Sequence, residues 1–210
     1  MADYALTYQT QLPQEIISII DSELIEFTRG KIETSKLSDN GGTIDYKKRK
    51  SNTAWIPADH WVSGFLMHYI NKANHENFRY DITGFDCNSI QYLIYDIDDF
   101  MHWHVDHSIE YMYKPLVTNK YGAESQLLRN EVACQHELVR KISFSLQLSD
   151  EGEYDGGHLQ FLSECNNRST ASKKRGSLVC FDSRTKHRVT KVREGRRRAL
   201  TGWVNGPRWR

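Results

Sequence analysis

Apolar residues in the first third of the chain recur at helical spacing. Between Pro13 and Phe27, positions 16, 17, 19, 20, 24, 25 and 27 are apolar, the recurrence of an amphipathic helix. Pro13 suits its first turn, where an absent N–H leaves nothing unpaired. Residues 59–73 repeat the pattern, with apolar positions 62, 65, 66, 69 and 70. Asp59 is the expected N-cap there. Segment 30–53 between the two is polar, with Asn40-Gly41-Gly42 as a turn.

From residue 80 the period shortens. Runs rich in β-branched and aromatic residues cover 89–97, 100–107, 141–150, 157–162, 176–182, 187–192 and 197–204. Gly152, Gly156, Gly157, Gly176 and Gly195 lie between or at the edges of these runs. Seven short strands broken by turn residues predict an antiparallel double sheet, a sandwich or jelly roll. The expected class is α+β, read as one domain over 1–210 with helical support in 1–80 and the β core in 81–206. Segment 108–139 lacks alternation and is expected to be a lid or an insertion, with a helix over 127–138.

Composition narrows the functional classes. Apolar residues make up 39%, charged residues 26%, and the net charge is +1, an ordinary globular balance that argues against disorder and against nucleic-acid binding by the chain as a whole. The opening MADYALTYQT lacks a secretory leader and no run reaches membrane-spanning length, so a cytoplasmic, membrane-free location is expected. Cys87, Cys134, Cys165 and Cys180 have no C-x-x-C spacing and read as buried thiols rather than a zinc ribbon. Trp55, Trp61 and Trp103 are expected in the core, and Trp209 packed back on the domain. Charge is uneven: nine Lys/Arg and one acid from Lys186 to Arg210, five acids and no base from Tyr95 to Glu110. If the two segments meet, they suit a metal ion beside an anionic ligand. The basic run at 186–198 reads as a strand face, with Arg196 and Arg198 solvated, more readily than as a nucleic-acid surface.

The densest chemistry is YDIDDFMHWHVDH, residues 95–107, with three histidines, four aspartates and three aromatics. Strict alternation would place His102, His104 and Asp106 on one face and Met101, Trp103, Val105 and His107 on the other. His104 and Asp106 then offer an imidazole and a carboxylate to one point. Asp96, Asp98 and Asp99 suit the turn before the strand. A facial triad needs a second histidine from a distant strand, leaving open positions for a bidentate oxo acid and O2. His187, opening a later strand after a turn, is the candidate. The far carboxylate of such an oxo acid calls for a cation, best an arginine. In the last strand Arg197, Ala199, Thr201 and Trp203 share one face and Arg196, Arg198 and Leu200 the other; periodicity leaves open which looks inward.

The ordered pieces Tyr95-x-x-Asp98-x-x-Met101-x-x-His104-x-Asp106, RKISFSLQL from Arg140, YDGGHLQF from Tyr154, and His187 to Trp203 with Gly195, Arg197 and Leu200 between, resemble Fe(II)/2-oxoglutarate dioxygenases of the prolyl 4-hydroxylase type over roughly 85–206. The resemblance implies a double-stranded β-helix core flanked by N-terminal helices. It implies Fe(II) held by His104, Asp106 and His187, and 2-oxoglutarate as cosubstrate with its distal carboxylate on Arg197. That choice turns the Arg197/Trp203 face inward. It further implies Tyr95 and Trp203 beside the cosubstrate, Arg140 and Met101 toward the substrate, O2 as oxidant and ascorbate as reductant. The implied substrate is a prolyl residue in a peptide or protein, with another residue, a free amino acid or a nucleobase as the alternative. A non-catalytic binding module is the reading from a different class. The chain departs from the family at Asp98, where glycine is frequent, at Met101, where tyrosine is frequent, and at His158 in the Gly-Gly segment. Arg49, Ser51 and Trp55 are candidates for the outer rim of the cleft.

Overall fold

The computed structural model describes residues 7–35, 45–106 and 138–209, with the backbone alone described for 86–89. In chain order the elements are β1 (Thr7–Gln11), α1 (Gln14–Phe27), β2 (Glu33–Thr34), β3 (Arg49–Lys50), β4 (Asn52–Ile56) and α2 (Trp61–Ala73), which runs into a π turn, Asn74–Phe78. Then follow β5 (Gly84–Tyr95), β6 (Phe100–His104), β7 (Leu138–Gln147), β8 (Tyr154–Gly156), β9 (Leu159–Leu162), β10 (Arg168–Thr170), β11 (Ser177–Asp182), β12 (Lys186–Val189), β13 (Val192–Gly195) and β14 (Arg197–Pro207).

The strands form a seven-stranded sheet, β1-β11-β7-β14-β5-β4-β2, and a five-stranded sheet, β10-β9-β12-β6-β3, with β13 and β8 paired separately. The pairings among the described residues are antiparallel. Two apolar cores result. Ile17, Ile20 and Leu24 of α1 and Val62, Leu66 and Ile70 of α2 pack with Ile90, Tyr92, Ile142, Phe144 and Leu200 of the large sheet. A smaller core of Leu93, Tyr95, Leu159, Phe161, Val179, Phe181 and Val189 fills the space between the sheets. Strand β7 shows why one strand serves both: Ile142, Phe144 and Leu146 join the helix-side core, while Ser143, Ser145 and Gln147 alternate with them and are buried.

A buried carboxylate ties helices to sheet. Asp21 of α1 accepts from Arg198 Nη1 at 2.6 Å and lies 3.4 Å from Arg175 Nη2. Arg198 is therefore engaged with the helix layer rather than solvated, because Leu200, on its face of β14, points at the helices. Arg196 stays exposed and pairs with Asp96 at 2.5 Å.

Several expectations change. The polar segment after α1 contains β2, β3 and the start of β4, too short for a periodic signal. Helix α2 begins after His60, whose Nδ1 accepts from the Val62 N–H at 3.3 Å, so His60 and not Asp59 is the cap. His60 is held there by Phe27, 4.8 Å between ring centroids, and by Glu23. Trp55 and Trp61 are 36% and 47% exposed, not core, and Trp103 is half-buried under Arg188. Trp209 does pack back, edge-on to Tyr80 and between Lys141 and Arg184. Cys180 is buried and its thiol pushed up to about 12 by desolvation, whereas Cys165 is exposed. Residues 107–137, which hold most of the expected lid with its helix, as well as His107 and Cys134, lie outside the described residues, as do the 40–42 turn and the Cys87 side chain; Leu138 and Val139 already belong to β7.

Candidate active site

His104 ends β6 and His187 lies in β12, and the two are direct cross-strand partners. Pairing brings their ring centroids to 4.1 Å. Asp106 follows two residues later, where its N–H donates to the Ser183 carbonyl at 2.9 Å. Each imidazole is aimed by its own backbone: His104 Nδ1 meets the His102 carbonyl at 2.8 Å and His187 Nδ1 the Thr185 carbonyl at 2.9 Å. A carbonyl only accepts, so Nδ1 carries the hydrogen and Nε2 keeps its lone pair. The two Nε2 atoms face Asp106, 3.5 Å from Oδ1 for His104 and 3.4 Å from Oδ2 for His187. One ligand-capable atom from each of the three residues lies within 4.8 Å of the others, the one such His/Cys/Asp/Glu group among the described residues.

Electrostatics keep the group ready for a cation. Burial pushes the His187 pKa down to about 4, helped by neighbouring His104 and opposed by Asp106 and the Thr185 carbonyl, so the ring is neutral near pH 7. Burial alone would raise the Asp106 carboxyl, but the neighbouring His187, His104 and Arg140 outweigh it and hold the pKa well below the usual range. Two imidazole Nε2 atoms turned toward an ionised carboxylate are the donor set of a facial metal site. Ser143 Oγ donates to Asp106 Oδ2 at 2.7 Å and meets Ser183 Oγ at 3.0 Å; neither serine was expected from sequence.

The triad opens into a cavity continuous with solvent. Tyr95, Met101, Arg197 and Trp203 line it. Arg197 is 3% exposed and its Nη1 has no hydrogen-bond partner. A buried, unpaired guanidinium donor in a cavity wall fits the carboxylate of a bound ligand. Tyr95 is its direct partner on β5, and the guanidinium lies 5.4 Å from the Tyr95 ring centroid. Arg140 stacks on the Trp203 ring at 3.8 Å, and its Nη1 lies 3.3 Å from the Asp106 carbonyl oxygen.

One facing is corrected. Met101 shares the cavity with His104, while His102 is exposed and contributes its carbonyl rather than its ring. The register between β6 and β12 slips between the His104 and Met101 pairings. The extra residue of that bulge reverses the alternation, which a strict period of two does not foresee. The Asp-rich turn is as expected: Asp99 Oδ2 accepts from the Asp96 N–H, and Asp98 sits at φ +68°, which explains the frequent glycine there in the family it resembles. Its pairing with Lys191, and that of Asp96 with Arg196, joins the acidic and basic segments. Thr201, on the inward face of β14, lines the cavity too; Gln91 and Ser145 also line it and were missed, their signal being polar residues recurring inside otherwise apolar strands.

Residues 90–205 match the sequence model of the 2OG-Fe(II) oxygenase superfamily. A PKHD-type hydroxylase of Parvibaculum lavamentivorans is 41% identical over 63 residues, 30% of this chain and 28% of that protein. One from Synechococcus sp. is 40% identical over 72 residues, 33% of this chain and 31% of its own. The chain thus aligns with under a third of the length of these curated relatives. Among solved structures, a Pseudomonas putida prolyl-4-hydroxylase superimposes with a TM-score of 0.65 at 16% identity, covering 97% of this chain and 93% of that one. A Trichoplax adhaerens prolyl hydroxylase in complex with a hypoxia inducible factor peptide fragment gives 0.67 at 16% identity, covering 97% and 84%. These two likenesses concern the fold. The superfamily's chemistry uses Fe(II), 2-oxoglutarate and O2, which the His-Asp-His group and the unpaired Arg197 donor are suited to receive. With more than half of its length matched by the superfamily model, this chain belongs to the 2OG-Fe(II) oxygenases.

Proposed function

We propose that the protein is an Fe(II)- and 2-oxoglutarate-dependent hydroxylase of a prolyl residue in a peptide or protein. The observation that carries this is the pairing of an open His104/Asp106/His187 group with the partnerless, buried Arg197 Nη1 in one cavity. The three ligands would hold Fe(II), and Arg197 would take the distal carboxylate of 2-oxoglutarate, with Tyr95 and Trp203 lining its path. Fe(II) would supply O2 activation coupled to cosubstrate decarboxylation. Substrate C–H, 2-oxoglutarate and O2 give substrate C–OH, succinate and CO2. The chain's own residues orient the ligands, exclude water with the apolar core between the sheets, and seat the substrate beside Met101 and Arg140.

The prolyl assignment draws support from solved prolyl hydroxylases of the same fold, one of them holding a peptide. We read the two facing sheets as a double-stranded β-helix within a single domain, and ascorbate as the reductant that keeps the iron ferrous. Met101 stands where many prolyl hydroxylases carry tyrosine, so hydroxylation of another residue is the second reading.

The test is succinate release from 2-oxoglutarate by purified protein with Fe(II) and ascorbate, with and without proline-containing peptides. Peptide-stimulated succinate with one oxygen atom gained on proline is expected. Succinate without peptide oxidation would discard the prolyl substrates tried; no succinate from iron-loaded protein would leave a non-catalytic binding module.

A further inference from the structure

Arg49 is a second cation in the same cavity. It opens β3, pairs with Met101 of β6, and sits on the wall across from the cosubstrate strand β14. Its Nε donates to Ser51 Oγ at 2.9 Å, and its Nη2 reaches Gln91 Oε1 at 3.4 Å. Ser51 in turn donates to Ser35 Oγ at 2.9 Å. Both acceptors are neutral, and no carboxylate among the described residues forms an ion pair with Arg49. Burial pushes its pKa down while nearby Tyr95 and Asp106 push it up, and a guanidinium so placed stays charged. A half-buried guanidinium held by two neutral groups lacks its counter-charge.

Charge counting says where that counter-charge belongs. On the oxygenase reading, the loaded cavity holds two positive charges from Fe(II) and one each from Arg49 and Arg197. Against them stand one negative charge from Asp106 and two from 2-oxoglutarate. The other described lining residues carry none; Arg140 lies outside the lining, stacked on the Trp203 ring. One positive charge is left, and Arg49 is the group without an anionic partner. We propose that the primary substrate carries a carboxylate close to the carbon that is hydroxylated, and that Arg49 receives it. This rests on the oxygenase reading and narrows its substrate class. The carboxylate belongs to a free amino acid, to the C-terminal residue of a peptide, or to an acidic side chain next to the oxidised residue.

The experiment compares matched ligands on the full chain loaded with Fe(II) and 2-oxoglutarate in the absence of O2, by calorimetric titration. The pairs are proline and prolinamide, a short peptide ending in proline as free acid and as amide, and an internal prolyl peptide with Asp or Asn beside the proline. The pair with the largest acid preference identifies the source. That acid is expected to bind about tenfold or more tighter than its neutral partner, as for a charge-assisted hydrogen bond. In Arg49→Gln the ratio should fall toward one, and Arg49→Lys should keep part of it. Equal binding of acid and neutral ligand in all three pairs by the wild-type protein overturns the proposal and needs no variant. So does an acid preference that survives in Arg49→Gln. Failure of 2-oxoglutarate itself to bind the iron-loaded protein instead shows that the oxygenase reading has failed, and the proposal falls with it.

Discussion

At the scale of single residues, the site depends on atoms left without partners as much as on those that have them. Arg197 Nη1 is buried and unpaired, a costly arrangement unless a ligand completes it. Arg197→Ala should raise the KM for 2-oxoglutarate on the order of 100-fold, as expected from losing a charged pair in a dry pocket, while Fe(II) affinity measured without cosubstrate stays near wild type. An unaltered KM would remove Arg197 from its role. His187 gives a pH signature. Its folded pKa of about 4 lies below the ordinary imidazole value of about 6.5, so the unfolded chain binds the proton more readily. The stability that neutral His187 contributes is present in full above pH 6.5 and is lost as pH falls toward 4. Metal-free protein should therefore melt at progressively lower temperature across that window, and His187→Gln should flatten the slope.

At the scale of elements, turns and a bulge decide where the functional side chains arrive. Gly195 joins β13 to β14, two residues before Arg197. It sits at φ +71°, and a Cβ there would lie 2.0 Å from the Glu153 carbonyl oxygen. Gly195→Ala combines left-handed strain with a backbone clash, and a loss of about 3 kcal/mol is expected in urea unfolding. A neutral result would mean that the turn can re-form with the strand in place. The β6 bulge works in the other direction. It has no marker residue, yet it exchanges Met101 for His102 at the cavity wall. The His104–His187 pairing involves no such slip, since β6 ends and its antiparallel neighbour β12 begins at the same end of the small sheet.

At the scale of the whole molecule, the two cores have different tasks. The helix-side core is apolar and anchored through Asp21, Arg198 and Arg175; the core between the sheets surrounds the site. Asp21→Ala leaves two guanidinium groups facing a gap at the helix–sheet boundary. A loss of about 3 kcal/mol is expected from breaking a buried pair by removing one partner, and Arg198→Met in the same background should recover part of it. Thermal melts of the single and double variants would check this, and additive losses would show that the two residues act independently.

The amphipathic helices, most of the long strands and the His-x-Asp…His…Arg series were all legible along the chain. Each rests on local periodicity or on residue types at fixed spacing, and both survive in a linear string. The resemblance to the dioxygenases likewise needed only the order of motifs. What the string left undetermined is set by distant groups. The inward face of β14 follows from which sheet covers it, the facing of Met101 from a register slip against β12, and the cap of α2 from Phe27 and Glu23 packing on His60. Arg49 belongs to a two-residue strand with no periodic signal, and only its pairing with Met101 carries it into the cavity. The sequence by itself determined the elements and the chemistry available to them. Tertiary structure decided which of those groups meet, because facing, register and burial are properties of pairs of segments and not of either one alone.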